Sequence, residues 1–351
     1  AVTGGSVGFA IEVDPARGAE LEPLRKAAED AARSVPGVEK AMVVLTAHAD
    51  APGGAAKPAA PPPGPKGPPP ELAAPRAKPG DKPLRPPAPP PNNGRIEGVG
   101  RIVAVASGKG GVGKSTVSCN LALALAAEGA RVGLLDADVY GPSLPRMLGA
   151  AGKPASPDGQ TITPLRAHGL AVMSMGFLVE EGQSVVWRGP MLMQALTQML
   201  HQVAWGALDY LIVDLPPGTG DVQLTLSQKA AVTGAVIVST PQDIALLDAR
   251  KAVDMFRKTK TPVLGVVENM STFVCPKCGE ETEIFGHGGA RREAERLDLP
   301  FLGEVPLDLE IRTTSDGGAP IAVSRPESPQ ALRFREIARR LMQSPAIAGP
   351  R

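Results

Sequence analysis

Hydrophobic and polar positions divide the chain into three stretches with different periods. Residues 1–47 carry an apolar run from Val7 to Val13, helical spacing at Leu21, Leu24, Ala27, Ala28 and Ala31, and a second apolar run from Lys40 to Leu45. This predicts a strand, a helix over Glu20 to Ser34 and a second strand, a small α+β piece with a marginal core of its own. Its first strand lies so close to Ala1 that the start of this piece is expected to precede the chain. From Ala51 to Asn93 no period survives, and prolines cluster at Pro61-Pro62-Pro63 and Pro68-Pro69-Pro70. Such a stretch lacks backbone donors and apolar faces, so it cannot build a core and reads as a semi-rigid spacer. A PxxP-type ligand is the sharper alternative. Beyond Gly100 short apolar runs alternate with helical spacing: Ile102 to Ala106, Val132 to Leu135, Leu170 to Ser174, Tyr210 to Val213, Ala235 to Ser239, Val263 to Val267 and Phe301 to Val305. Alternation of this kind predicts βαβ units and a largely parallel sheet flanked by helices, with ligands outside the carboxyl ends of the strands. The expected divisions are therefore 1–47, 48–99 and 100–345.

Composition narrows the class. In 351 residues, 43% hydrophobic and 21% charged, the formal net charge is only +1, which supplies no global field for nucleic acid or an anionic membrane. No run of eighteen apolar residues and no signal-peptide pattern is visible, so the expectation is a soluble cytoplasmic protein without nucleic-acid or membrane partners. Three cysteines are too few for a disulfide framework and direct attention to thiol chemistry.

Gly108-Lys109-Gly110-Gly111-Val112-Gly113-Lys114-Ser115-Thr116 satisfies the phosphate-loop spacing, directly after one predicted strand and before a helix with apolar Val117, Leu121, Ala124 and Leu125. Glycines let successive backbone N–H groups face phosphate oxygens, and the helix adds its positive N-terminal end. Lys114 is expected to neutralise the β/γ-phosphates and Ser115 to place its hydroxyl on Mg²⁺. The strand Leu211-Ile212-Val213-Asp214 ends in a carboxylate of Walker B type, expected to hold Mg²⁺ through water. After it, in Leu215-Pro216-Pro217-Gly218-Thr219-Gly220-Asp221, the Gly218 N–H is placed to sense a γ-phosphate. Lys109, a second lysine inside the loop, makes the arrangement resemble the deviant phosphate loop of the MinD, ParA and nitrogenase-iron-protein superfamily. That resemblance implies two ATP molecules sandwiched in a homodimer, Lys109 acting on the facing subunit's nucleotide, Asp136 supporting the metal shell and Asp138 positioning or activating the attacking water. The bland reading of Asp136 and Asp138 is that of turn or cap residues before Gly141-Pro142.

Cys275-Pro276-Lys277-Cys278-Gly279 aims two thiolates at one point. Iron–sulfur, zinc and a redox dithiol all suit such a turn. A four-ligand site lacks two sulfurs here, because Cys119 lies in the helix after the phosphate loop as a small buried residue and His287 sits in a turn-like Phe285-Gly286-His287-Gly288-Gly289 segment. An isologous dimer would place the pair opposite itself and supply four thiolates.

The stretches GKGGVGKSTVSCNLA, LLDADVYGPSLPRMLG, WRGPM, DYLIVDLPPGTGDVQLTL, VVENMS, CPKCG and VPLD together resemble the Mrp/ApbC family of iron–sulfur cluster carrier ATPases, in the family's order over residues 101 to about 310. Residues 1–47 resemble the latter part of the assembly-factor domain that precedes the ATPase in many members. The resemblance implies a P-loop NTPase fold and slow ATP hydrolysis coupled to a [4Fe-4S] cluster bridging two subunits through Cys275 and Cys278. It also implies transfer of that cluster to apo iron–sulfur proteins and exchange with cluster-assembly scaffolds. Asn269 is then expected at the adenine ring, while the role of Arg188 in WRGPM is not implied by any chemistry. The helix from Met191 to Val203 reads as core or dimer surface. Two rival functions stay open. One is a MinD- or ParA-like positioning ATPase using the arginine-rich helix Ala331 to Met342, itself expected to be a packed surface helix; the other is a zinc-bridged dimeric scaffold.

Overall fold

The computed structural model describes residues 2–3, 6–12, 22–38, 40–46, 94–178 and 189–349. The Pro-rich stretch up to residue 93, and Arg188 with its Trp187, lie outside them. The chain divides into two compact units, Ala1–Leu72 and Ala73–Arg351.

In the first unit β1 (Val2–Thr3) pairs antiparallel with β2 (Ser6–Glu12), α1 (Glu22–Arg33) follows, and β3 (Lys40–Thr46) returns parallel to β2. The strand–helix–strand order is the one the periodicity predicts. The helix face differs from expectation, because Leu24, Ala27 and Ala31 are exposed, while Arg25, Ala28, Glu29 and Ala32 are half-buried. A stripe made mostly of alanine removes little apolar area from water. The stem of Arg25 competes successfully for the inner face, its guanidinium reaching the Val43 carbonyl at 3.5 Å.

The second unit contains β4 (Val99–Ala106), α2 (Lys114–Ala127), β5 (Val132–Asp136), α3 (Leu144–Met147), β6 (Leu165–Ala167), β7 (Leu170–Ser174), α4 (Gly189–His201), β8 (Leu208–Asp214), α5 (Asp221–Lys229), β9 (Gly234–Ser239), α6 (Asp243–Lys258), β10 (Val263–Val274), β11 (Glu281–Thr282), α7 (Gly289–Arg296), β12 (Phe301–Leu307), α8 (Leu309–Asp316), α9 (Ile321–Ser324), α10 (Pro329–Gln343) and α11 (Pro345–Ala348). The sheet runs β11-β10-β9-β4-β8-β5-β7-β6, with β12 also on β10. It is parallel except at the antiparallel edge pairs β6/β7 and β10/β11, which the sequence did not announce. The central strands read as unbroken apolar runs because both faces are covered; β5, β7 and β9 are buried at every position. Chain order moves from β4 outward in one direction to β5 and later in the other to β9 and β10. Helix α2 packs against α10, α4 against α5 and α6 against α7, as expected of right-handed crossovers that run both ways from β4. The carboxyl end of β4 is the switch point where such sheets bind ligands.

The fold begins before residue 100 and continues past 345. Ile96 is buried, the Gly94 carbonyl accepts from the Ala231 N–H at 2.8 Å, and Ile347 is buried with its carbonyl bonded to Arg101. The arginine-rich helix α10 packs on α2 and β12 through buried Phe334, Ile337, Ala338 and Leu341. Arg335 and Arg339 both grip Glu128 at the end of α2. Its apolar face is thus consumed inside the fold. No helix among the described residues is long and apolar enough to cross a membrane.

Candidate functional site

The phosphate loop emerges from β4 and enters α2 through Gly113, which is left-handed at φ +78 and offers no side-chain cap, so the first amides of a 14-residue helix are uncapped. Two of its glycines are demanded by packing. A Cβ on Gly108 would fall 2.1 Å from the Asp248 backbone of α6, and one on Gly113 would fall 2.1 Å from Nδ2 of Asn269. Gly110 and Gly111 form the open part of the loop, where a Cβ on Gly111 would meet nothing within 4 Å. Val112 is buried beneath it. The Ser107 hydroxyl donates to the Lys109 carbonyl at 2.9 Å and shapes the loop's start. Lys109 is half-buried, and its ammonium makes no ion pair among the described residues. Thr116, in the first turn of α2, has its carbonyl occupied by the Asn120 amide at 2.9 Å.

Behind the loop is a buried charge cluster. Lys114 Nζ donates to Asp214 Oδ1 at 2.8 Å and to Ser115 Oγ at 3.1 Å, and lies 3.9 Å from Asp138. Ser118, one helical turn after Lys114, donates to the same Asp214 Oδ1 at 2.6 Å. Asp214 Oδ2 is buried and has no hydrogen-bond partner among the described residues. Asp136 is the register neighbour of Asp214 across β5/β8. It accepts the Asp138 and Leu144 N–H groups and the Ser174 hydroxyl at 3.1–3.2 Å. Burial, and then the charge of Asp214, push its pKa up to about 7. Asp138 is also raised, by partial burial above all. It lines an open cavity of about 540 Å³ together with Tyr140, Met193, Pro216, Pro217 and Gln223. The Gly218 N–H, expected at a γ-phosphate, is donated to the Ser107 carbonyl at 2.9 Å. Gln223, fully buried on α5, straps the same turn by donating to Pro216 O at 2.8 Å and Gly218 O at 3.0 Å. Ser118 and Gln223 are the polar residues that motif spacing missed. Both stand one turn inside a helix that follows a motif, and that is the only signal they carry.

These residues suit a magnesium nucleotide. An uncapped helix start and an open glycine turn match a polyphosphate, and an orphaned buried carboxylate oxygen beside a lysine matches a hydrated divalent cation.

The thiolate pair sits at the tip of a hairpin. The sequence predicts β10 to end at Val267, whereas it continues to Val274 and pairs antiparallel with β11. A register irregularity between Asn269 and Phe273, with Met270 at φ +58, bends the strand so that its apolar period is lost. Upstream of the bend the buried Asn269 donates its Nδ2 to Val112 O at 2.8 Å, bracing the phosphate loop; downstream the strand delivers Cys275 and Cys278. The turn is closed by Cys275 N–H to Glu280 O at 2.9 Å and Gly279 N–H to Cys275 O at 2.8 Å. The backbone N–H groups of Cys278 and Lys277, and then the Cys278 thiol, stabilise the Cys275 thiolate and lower its pKa. Cys278 is exposed, and Cys119 is fully buried with its thiol pKa raised by that burial. His287 does not join the thiolates; its Nε2 lies 3.0 Å from Glu304. Glu268, close to both, spends its oxygens on the Gly288 and Ala290 N–H groups at the start of α7, which ties β10 to that helix. Of the methionines after Arg188, Met199 is core, Met191 is exposed, and Met193 is half-buried on the cavity wall.

The family described as NUBPL iron-transfer P-loop NTPase matches residues 98–342, and the family described as iron–sulfur cluster assembly protein matches residues 1–43. An iron–sulfur cluster carrier protein of Haemophilus influenzae is 55% identical over 251 residues, covering 71% of this chain and 68% of that protein. The iron–sulfur cluster transfer protein NUBPL of Mus musculus is 57% identical over 261 residues, covering 73% and 82%. Among solved structures, a nucleotide-binding protein of Archaeoglobus fulgidus in complex with ADP aligns with a TM-score of 0.59 at 43% identity, over 68% of this chain and 93% of that one. The cell-division ATPase MinD of Pyrococcus furiosus aligns at 0.53 with 24% identity, a likeness of fold. Matched over most of its length, with phosphate loop, carboxylate strand and thiolate hairpin in one unit, the chain belongs to the NUBPL-type family of iron-transfer P-loop NTPases.

Proposed function

We propose that this chain is an ATP-hydrolysing iron–sulfur cluster carrier that holds a [4Fe-4S] cluster between two copies of itself and passes it to apo-proteins. One observation carries the reading: β10 braces the phosphate loop through Asn269 and, six residues later, presents the Cys275/Cys278 pair. Nucleotide and cargo therefore share one strand. Relatives named as cluster carriers and transfer proteins support the cargo. Only two accessible thiols per chain support a second copy as the source of the other two ligands.

In this reading the α2 N-terminus and Lys114 bind the β/γ-phosphates, with Gly108 to Thr116 as the cradle. Ser115 and Asp214 hold Mg²⁺, Asp214 through water, and Asp136 supports that shell from the neighbouring strand. Bound Mg²⁺ supplies charge neutralisation at the phosphates. Asp138, half-buried beside the phosphate side of the cavity, orients the attacking water. Lys109, without a partner in its own subunit's described residues, serves the facing subunit. Gly218 exchanges its bond to Ser107 for the γ-phosphate and so reports nucleotide state. Asn269 contacts adenine through the part of its amide not committed to Val112. The closed turn around Cys275 also suits zinc, the competing occupant.

The test is anaerobic reconstitution with iron and sulfide, counted per dimer, with and without ATP. Four iron and four sulfide per dimer, with retention that differs between nucleotide states, are expected. Stoichiometric zinc with no brown chromophore would overturn the cargo assignment, and a monomer under all conditions would overturn the shared site.

A further inference from the structure

Ser118 lies outside the phosphate-loop signature, yet the helix repeat places it on the same side of α2 as Lys114, one turn along. It is fully buried, and its hydroxyl has two acceptors in reach, Asp214 Oδ1 at 2.6 Å and the Lys114 carbonyl at 3.0 Å. A hydroxyl has one proton to give, and the shorter, charge-assisted bond to the carboxylate takes it. Asp214 Oδ1 thus holds two donors, Ser118 Oγ and Lys114 Nζ, while the buried Oδ2 has none among the described residues. The two donors differ in permanence. Lys114 is on a long flexible stem and is the group that phosphates attract, whereas Ser118 is short and set in the helix. The Asp214 carboxylate has a broad terminal torsion and a like charge beside it in Asp136 when that group is ionised.

We infer that Ser118 is a positioning residue for the metal side of the nucleotide site. It keeps Asp214 Oδ1 engaged while Lys114 attends to phosphate, and so leaves Oδ2 available to a metal-bound water. This rests on the magnesium-nucleotide reading proposed above.

The experiment is calorimetric titration of the full chain with ADP, in the presence and absence of Mg²⁺, for the wild type, Ser118→Ala and Ser118→Thr. In the wild type Mg²⁺ is expected to strengthen ADP binding. Ser118→Ala is expected to lose about tenfold of that Mg²⁺-dependent gain, the size of a hydrogen bond to a charged group, and to keep its Mg²⁺-free affinity within about twofold. Ser118→Thr, which retains the hydroxyl, is expected to recover most of the gain. An unchanged gain in Ser118→Ala overturns the inference. So does an equal fall with and without Mg²⁺, which would mark a merely structural role. Absence of any Mg²⁺ effect in the wild type would instead sink the nucleotide reading beneath it.

Discussion

The nucleotide half and the thiolate half of this molecule are built in opposite ways. Around Asp214 the carboxyl ends of β5 and β8, the start of α2 and the Ser174 hydroxyl of β7 converge, and nearly every polar atom is buried and engaged. The Cys275/Cys278 turn is local, closed by its own backbone and largely exposed, and joins the rest of the fold through β10, which pairs with β12 and is tied to α7 by Glu268. A site assembled from several strands has its buried carboxylates fixed by long-range hydrogen bonds, even where Lys109 is assigned to a facing subunit in the reading proposed. A hairpin tip with two thiols has neither that burial nor a full ligand set, the condition that the proposed loading, sharing and release of a cargo would need.

Breaking each half separately is the sharpest way to test that contrast. The largest effect is expected from Cys275→Ala or Cys278→Ala, which should abolish cluster reconstitution, read by absorbance and iron content, and leave ADP affinity within about twofold, because the turn contributes nothing to the phosphate loop. Lys114→Ala attacks the other half. It strips an ion pair in which the lysine is 6% and the aspartate 0% exposed, and should cost about 3–5 kcal/mol in urea denaturation along with nucleotide binding. Thiol reactivity at Cys278 should be unchanged. Asn269→Ala probes the link between halves. Leaving the Val112 carbonyl without its donor should cost about 1–3 kcal/mol, and the difference in cluster retention with and without ATP should shrink.

A pH experiment isolates the buried half. Asp136, faced by Asp214, Asp138 and Lys114, has its pKa raised from 3.8 to about 7, so the folded chain holds a proton that the unfolded chain has already released. Its contribution to stability is therefore full below pH 3.8 and lost as pH rises through about 7. Denaturation midpoints at pH 5 and pH 8 should differ less in Asp136→Asn than in the wild type; an equal difference would remove Asp136 as the cause. The smallest effect is expected at the periphery. Arg339→Ala removes one of two arginines on Glu128 and should leave the urea denaturation midpoint nearly unchanged, with no effect on nucleotide or cluster, because an exposed ion pair is screened by water.

Much of the nucleotide site was legible in the chain because its chemistry is tied to contiguous spacing: a glycine turn between an apolar strand and a helix, and a carboxylate ending another strand. The thiolate pair was legible for the same reason. The extension of β10 to Val274 was not, since a bulge at Met270 and a half-buried second half that hides polar Ser271 erase the apolar period that announces a strand. Nor was the inner face of α1, where alanines gave the pattern too little area to decide it.

By itself the sequence determined the order of the main parallel strands, the place of the phosphate loop, Asp214 and the two thiols, and the small count of cysteines that leaves a four-ligand site half made. Only the tertiary structure decided that Asp136 sits beside Asp214, that Ser118 shares Lys114's carboxylate, that Gly218 rests on Ser107, and that Asn269 ties the thiolate strand to the phosphate loop. The physical reason is distance along the chain. Local dihedral preference and apolar period act over a few residues and leave their mark in composition, whereas a hydrogen bond between groups a hundred residues apart exists only once sheet order and register have brought its partners within 3 Å.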